Sequence, residues 1–170
     1  MAENKPKPRS KRTKRLRASS RDEYVRYLVA IENWDWSYSF GLDGRKASVD
    51  PYMEHRHLII GGRLLHPTSP SIKSVELCLL PRHDLDQERR KDDQPTAVGS
   101  LEVNDGKLTA LLPIPKDSLA PIMLMLVADR FRFANLGGAR LRNRRALVTS
   151  FSLETHIDED DMPSSADDRP

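Results

Sequence analysis

Residues 24–42, YVRYLVAIENWDWSYSFGL, decide how the rest of the chain is read. In the second half of the stretch, Trp34, Trp36, Tyr38 and Phe40 alternate with Asp35, Ser37 and Ser39. A period of two puts the rings on one face of an extended strand and the small polar groups on the other. Six of the ten aromatic residues of the chain fall here. Each such side chain can bury roughly 150–250 Å². So continuous a row is expected to pack in the core, with Trp34 and Trp36 as core residues. The alternative is a platform for stacking sugars or bases, and exposure of the row would point to it.

Working outward, Gly41-Leu42-Asp43-Gly44 reads as a reversal. Residues 55–66, HRHLIIGGRLLH, then read as a second strand. Its paired Gly61 and Gly62 mark a bulge or the close approach of another backbone. Residues 72–80 alternate, with Val75, Leu77 and Leu79 on one face and Cys78 on the other. Residues 81–96 are dense in both signs of charge and read as a long solvated loop. Asn104-Asp105-Gly106, between runs at 97–103 and 107–112, is a hairpin signature, because tight hairpin turns need positive φ.

Residues 116–128 fit either a buried strand or a helix. A cap at Asp117 or Ser118, Pro121 in the first turn, and Leu119, Ile122, Met123 and Leu126 on one side select a short helix. Phe131 and Phe133 then point inward, Gly137-Gly138 forms a break, and residues 146–157 make a last strand with Leu147, Phe151 and Leu153 inward. About seven strands and one short helix predict a mostly β fold, an antiparallel β-sandwich or partly open barrel.

Charge divides the chain of 170 residues into three parts. Residues 1–21 carry nine Lys or Arg and one Glu, a net of +8, and residues 158–170 carry a net of −5. The total of +3 therefore leaves residues 22–157 neutral, a β domain between a basic and an acidic tail. Both tails lack buriable surface and are expected to be disordered. The single cysteine, Cys78, can form no internal disulfide. No apolar run approaches the ~20 residues that span a bilayer. These features predict a cytoplasmic protein with no membrane partner.

The chemistry available is limited. His55 and His57 share one strand face and are candidate metal ligands, for which His66, His83 or Glu76 would have to supply a third donor. Cys78 lies mid-strand between leucines, where a thiol is inert. The paired carboxylates Asp84/Asp86 and Asp92/Asp93 lie in the polar loop, away from any desolvated site. No nucleophile elbow or phosphate-cradling loop occurs, and no cofactor is called for.

The remaining feature is basic. Lys11, Arg12, Lys14, Arg15 and Arg17 in the tail can neutralise phosphates without reading sequence. Arg140, Arg142, Arg144 and Arg145 follow the glycine break, with Arg130 and Arg132 before it. A reversal at Gly137-Gly138 would merge these arginines into one patch offering planar forks to phosphate. Cross-strand pairing with Asp129, Glu154 or the loop acids is the competing use. The leading expectation is a non-enzymatic binding module contacting an anionic partner, nucleic acid first, through the tail and these arginines. A protein-interaction or assembly module, with a protein partner or a second copy, is the alternative. A small metal-dependent β-barrel enzyme built on His55 and His57 is the third.

Overall fold

The inward face of the first strand changes parity at one residue. In the computed structural model, which describes residues 23–42, 52–82, 85 and 97–157, β1 (Tyr24–Leu42) pairs antiparallel with β2 (Tyr52–His66). Ile31 faces Gly62 and Asn33 faces Gly61, so Glu32 is an extra residue, a β-bulge. Before it Tyr27 and Val29 are buried; after it Trp36 packs against the same core. The paired glycines permit this. A Cβ on Gly62 would collide with the Ala30 carbonyl oxygen, and one on Gly61 with the Asn33 side-chain amide. Both readings of the glycine pair, bulge and close approach, hold.

The other strands are β3 (Ser74–Arg82), β4 (Gly99–Asn104), β5 (Lys107–Pro115), β6 (Phe133–Ala139) and β7 (Arg145–Glu154). A 3-10 turn, Lys116–Ser118, and the helix α1 (Leu119–Val127) follow β5. The structure is thus mostly β, a mixed seven-stranded sheet with one short helix. Hydrogen bonding runs β1-β2-β3-β5-β4-β7-β6, and β6 pairs back onto β1. A purely antiparallel sheet was expected, yet β3 and β5 pair in parallel from Ser74↔Lys107 to Arg82↔Pro115. The reason is arithmetical. Strands that alternate in direction can close a ring only in even number, so a ring of seven needs a parallel pair.

Several local readings hold. Asp105 and Gly106 turn at φ 50° and 79°, joining β4 to β5 as the Asp-Gly pattern predicts. Val75, Leu77 and Leu79 are buried, and α1 buries Leu119 and Leu126 with Ile122 and Met123 against the core. Ser118 occupies the helix N-cap but makes no side-chain cap bond.

Two readings are corrected. Gly137 and Gly138 lie inside β6 rather than at a break. A Cβ on Gly138 would strike the Leu147 carbonyl oxygen, so the pair serves close strand approach. Leu147, expected inward, is 51% exposed, while Ala146 and Val148 are buried. Gly138 faces Val148 and Gly137 faces Ser150, which leaves Thr149 as an extra residue. That bulge flips the parity between Val148 and Phe151, and only the latter part of the strand keeps the expected face.

The aromatic row is the third correction. β1 pairs with β6 only as far as Ala30↔Phe133, and β2 pairs with β3 only from Leu58↔Leu79 onward. Among the described residues, 33–42 therefore pair only with β2; 33–36 lie against 58–61 at the rim of the closed sheet, and 37–42 with 52–57 form a two-stranded arm beyond it. Trp34 is 36% exposed, Tyr38 53% and Phe40 61%; Trp36 alone is half-buried against the core. The rings keep the inward parity but run past the end of what they would line.

The molecule consequently has two distinct ends. At one, the β6–β7 turn lies beside the start of β1, since Tyr24 faces Ala139. At the other are the arm, the end of β5 and α1. Among the described residues no helix is long and apolar enough to cross a membrane.

Candidate nucleic-acid interface

The β6–β7 turn is a tight hairpin closed by Arg142 and Arg145. The Arg142 N–H donates to the Arg145 carbonyl (2.8 Å) and the Arg145 N–H to the Arg142 carbonyl (2.9 Å). The two residues between, Asn143 and Arg144, both turn through positive φ, 49° and 68°. This is the primed-turn geometry that hairpins favour, with Arg144 where glycine is the ordinary occupant. A left-handed conformation costs an L-residue roughly 1–2 kcal/mol.

A buried hydroxyl holds the turn in place. Tyr27, 2% exposed, donates its hydroxyl proton to the Ala139 carbonyl (3.0 Å) and accepts the Leu141 N–H (3.0 Å). Burial pushes its phenol above the ordinary tyrosine value, against a smaller opposing pull from the Leu141 N–H and Arg140. The Arg140 N–H also donates to the Glu23 carbonyl (3.2 Å), tying the turn to the residue where the described chain begins.

Of the arginines expected to form one patch, two are elsewhere. Arg130 and Arg132 precede β6, whereas Arg140, Arg142, Arg144 and Arg145 lie at and beyond its far end. A strand of that length separates them by roughly 20 Å. Because the glycines sit within the strand, no reversal brings the two groups together. Arg132 instead pairs with Asp129 (2.7 Å), one of the acids expected to compete. At the turn, Arg140 pairs with Glu23 (3.0 Å) and Arg145 with Glu102 (2.9 Å). Hydrogen bonding and charge from Arg145 hold the Glu102 carboxyl below the usual range. Lys11, Arg12, Lys14, Arg15 and Arg17 lie outside the described residues.

On the arm, Phe40 stacks on Tyr52 with ring centroids 5.6 Å apart, and the Arg56 guanidinium lies 5.8 Å from the centre of the Tyr38 ring. Arg56 pairs with Glu54, which keeps that carboxyl below its ordinary value, and Lys116 adds a contact at 3.9 Å. The arm is thereby tied, through Glu54, to the turn that begins α1.

His55 and His57 face Ser39 and Ser37 on the opposite side of the arm. His66, paired with Leu28, lies about 30 Å along β2 from His57. Glu76 is engaged by Lys107 at 2.6 Å, and His83 lies outside the described residues. Among the described residues no group of three ligating side chains converges. Burial, with the Glu76 carboxylate beside it, raises the Cys78 thiol above its ordinary value, the opposite of nucleophile activation.

Glu23, Tyr27 and Glu102 went unrecognised in the sequence because their partners are distant along the chain. The Arg142–Arg145 turn had one local sign, Asn143, a residue that tolerates left-handed backbone. Compared with known protein families, curated proteins and solved structures, the chain matches none.

Proposed function

We propose that the protein is a non-enzymatic binding module that contacts nucleic acid at its turn end, through Lys11, Arg12, Lys14, Arg15 and Arg17 together with Arg140, Arg142, Arg144 and Arg145. In this reading the closed sheet is a barrel, rigid between two working ends, and the protein acts in the cytoplasm. One observation carries the proposal: Arg144 occupies a positive-φ position at the tip of a turn bonded to Glu23. Backbone strain kept at an exposed arginine, where glycine would relieve it, fits a side chain retained for contact. The basic segment joins the fold at the same place. The six steps of chain from Arg17 to Glu23 span at most about 20 Å, so tail and turn can meet one phosphate backbone.

The turn's ion pairs do not oppose this. Arg140–Glu23 and Arg145–Glu102 are exposed, and such pairs are worth about 0–1 kcal/mol, so a polyanion can displace the acid. The test is binding of the full chain to a short random-sequence duplex as salt is varied. Neutralising about six phosphates predicts a slope of about −5 in log affinity against log salt. Deleting residues 1–21 should remove most of that slope, and Arg142→Ala with Arg144→Ala about one to two units more. No binding even at low salt overturns the reading.

A further inference from the structure

The arm has no role at the turn end, and its charge argues against a polyanion. With the rim residues 33–36 it carries Asp35, Glu54 and Arg56, a net of −1. What it offers is apolar. Trp34, Tyr38, Phe40, Leu42 and Tyr52 share one face and are 36–68% exposed. From those exposures, and roughly 150–250 Å² per aromatic side chain, the face presents on the order of 400–600 Å² of apolar surface. A patch of that size stands at the upper end of what a single chain exposes, where patches are often functional.

The edge of the arm is equally informative. Among the described residues, 33–42 pair only with β2, so the other edge of β1 carries unpaired backbone groups. The Trp36 N–H takes the carboxylate of its own neighbour Asp35 (2.8 Å) in place of a strand partner. Long edges are normally guarded by lysine, proline or a bulge; between residues 33 and 42 there is no lysine or proline, and Asp35 is the only charge. A lone two-stranded ribbon is marginally stable in water and gains from a third strand.

We infer that the occupant of this edge is a second copy of the chain, the two arms pairing antiparallel through residues 33–42 about a two-fold axis at Tyr38. The sequence is self-complementary in that register. Tyr38 faces its twin, Trp36 faces Phe40, Trp34 faces Leu42, and Ser37 faces Ser39. Asp35 faces Gly41, so no like charges meet. All the rings stay on one face, because pairing about a residue of the row conserves parity. Across the axis the Tyr38 pair and the two Trp36–Phe40 pairs set rings side by side, the cross-strand contact that stabilises a paired edge. The assembly is isologous and closed, and it points the two turn ends outward in opposite directions.

Sedimentation of the full chain across a concentration series tests this. The expected result is a reversible monomer–dimer equilibrium. Tyr38→Lys, which sets two like charges on the axis, should shift that equilibrium to monomer while the far-ultraviolet circular dichroism stays unchanged. Independently, Tyr38→Cys should give a covalent dimer on mild oxidation, while the wild-type chain, carrying only half-buried Cys78, should not. A wild-type chain that is monomeric throughout overturns the inference, as does a dimer that persists in Tyr38→Lys and leaves Tyr38→Cys uncrosslinked. A monomer in which Tyr38→Lys or Phe40→Ala abolishes binding of single-stranded DNA would assign the rings to base stacking and also overturn it. The slope measured on the duplex is read separately, so failure here leaves the turn-end proposal standing.

Discussion

Two of the chain's β-hairpins are built in opposite ways. The β6–β7 hairpin turns in two residues, and a buried tyrosine hydroxyl bonds both sides of its base. The β1–β2 hairpin extends past the closed sheet, with an edge that no other described strand pairs and an exposed aromatic face. The first fixes charged side chains on a rigid support. The second leaves apolar surface and backbone groups available for association. The contrast teaches that position relative to the closed sheet, more than composition, decides what a hairpin can do. Identical alternation lines the core where β6 and β3 flank it and meets solvent where they stop.

The comparison breaks most visibly at the tail. Deleting residues 1–21 should weaken duplex binding at low salt by about a hundredfold or more, and leave self-association unchanged. A parallel loss of self-association, read by sedimentation, would mean that the two ends are not independent. Next in size is Gly62→Val. Its Cβ has no room beside the Ala30 carbonyl, so urea unfolding should show a loss of about 3 kcal/mol and the arm should lose its register. A near-neutral midpoint would contradict the account of the bulge.

Tyr27→Phe sharpens the anchored side. It leaves the Ala139 carbonyl and Leu141 N–H without their partner, at a cost of about 1–3 kcal/mol. Arg144→Gly should act in the other direction. Relief of the left-handed strain should stabilise the fold by about 0.5–1 kcal/mol, read by thermal melting, while duplex binding weakens. Stabilisation without weaker binding would separate the strain from the function.

The smallest effect concerns pH. The folded Glu102 carboxyl is held below its ordinary value by Arg145, so its contribution is present above the unfolded carboxylate range. It is lost as pH falls through the lowered folded value. The midpoint difference between wild type and Glu102→Gln should therefore be small at neutral pH and close in acid; a difference that widens in acid would contradict the pairing.

What could be read in advance follows physical range. The Asp-Gly turn, the β3 alternation and the face of α1 rest on neighbours a few residues apart, and all hold. The parallel β3/β5 pair rests on closure of the ring, which no local pattern records. Thr149 defeated the reading of Leu147 because a bulge flips parity without leaving a glycine or proline as its sign. Gly137-Gly138 was misread for a related reason, since a glycine pair serves close packing or reversal equally well. The exposure of the Trp34–Phe40 row depends on where β3 and β6 end, and neither lies near it in the chain. At the turn end the arginines were legible as residues, but Tyr27, Glu23 and Glu102, which position them, were not.

The central claim is that nucleic acid meets one hairpin and leaves the other alone. Amide hydrogen exchange of the full-length chain, with and without the duplex, tests it directly. The account predicts slowed exchange at Leu141–Arg145 and around Glu23, with residues 33–42 unchanged between the two states. Protection appearing at residues 33–42, with none at the β6–β7 turn, would contradict it.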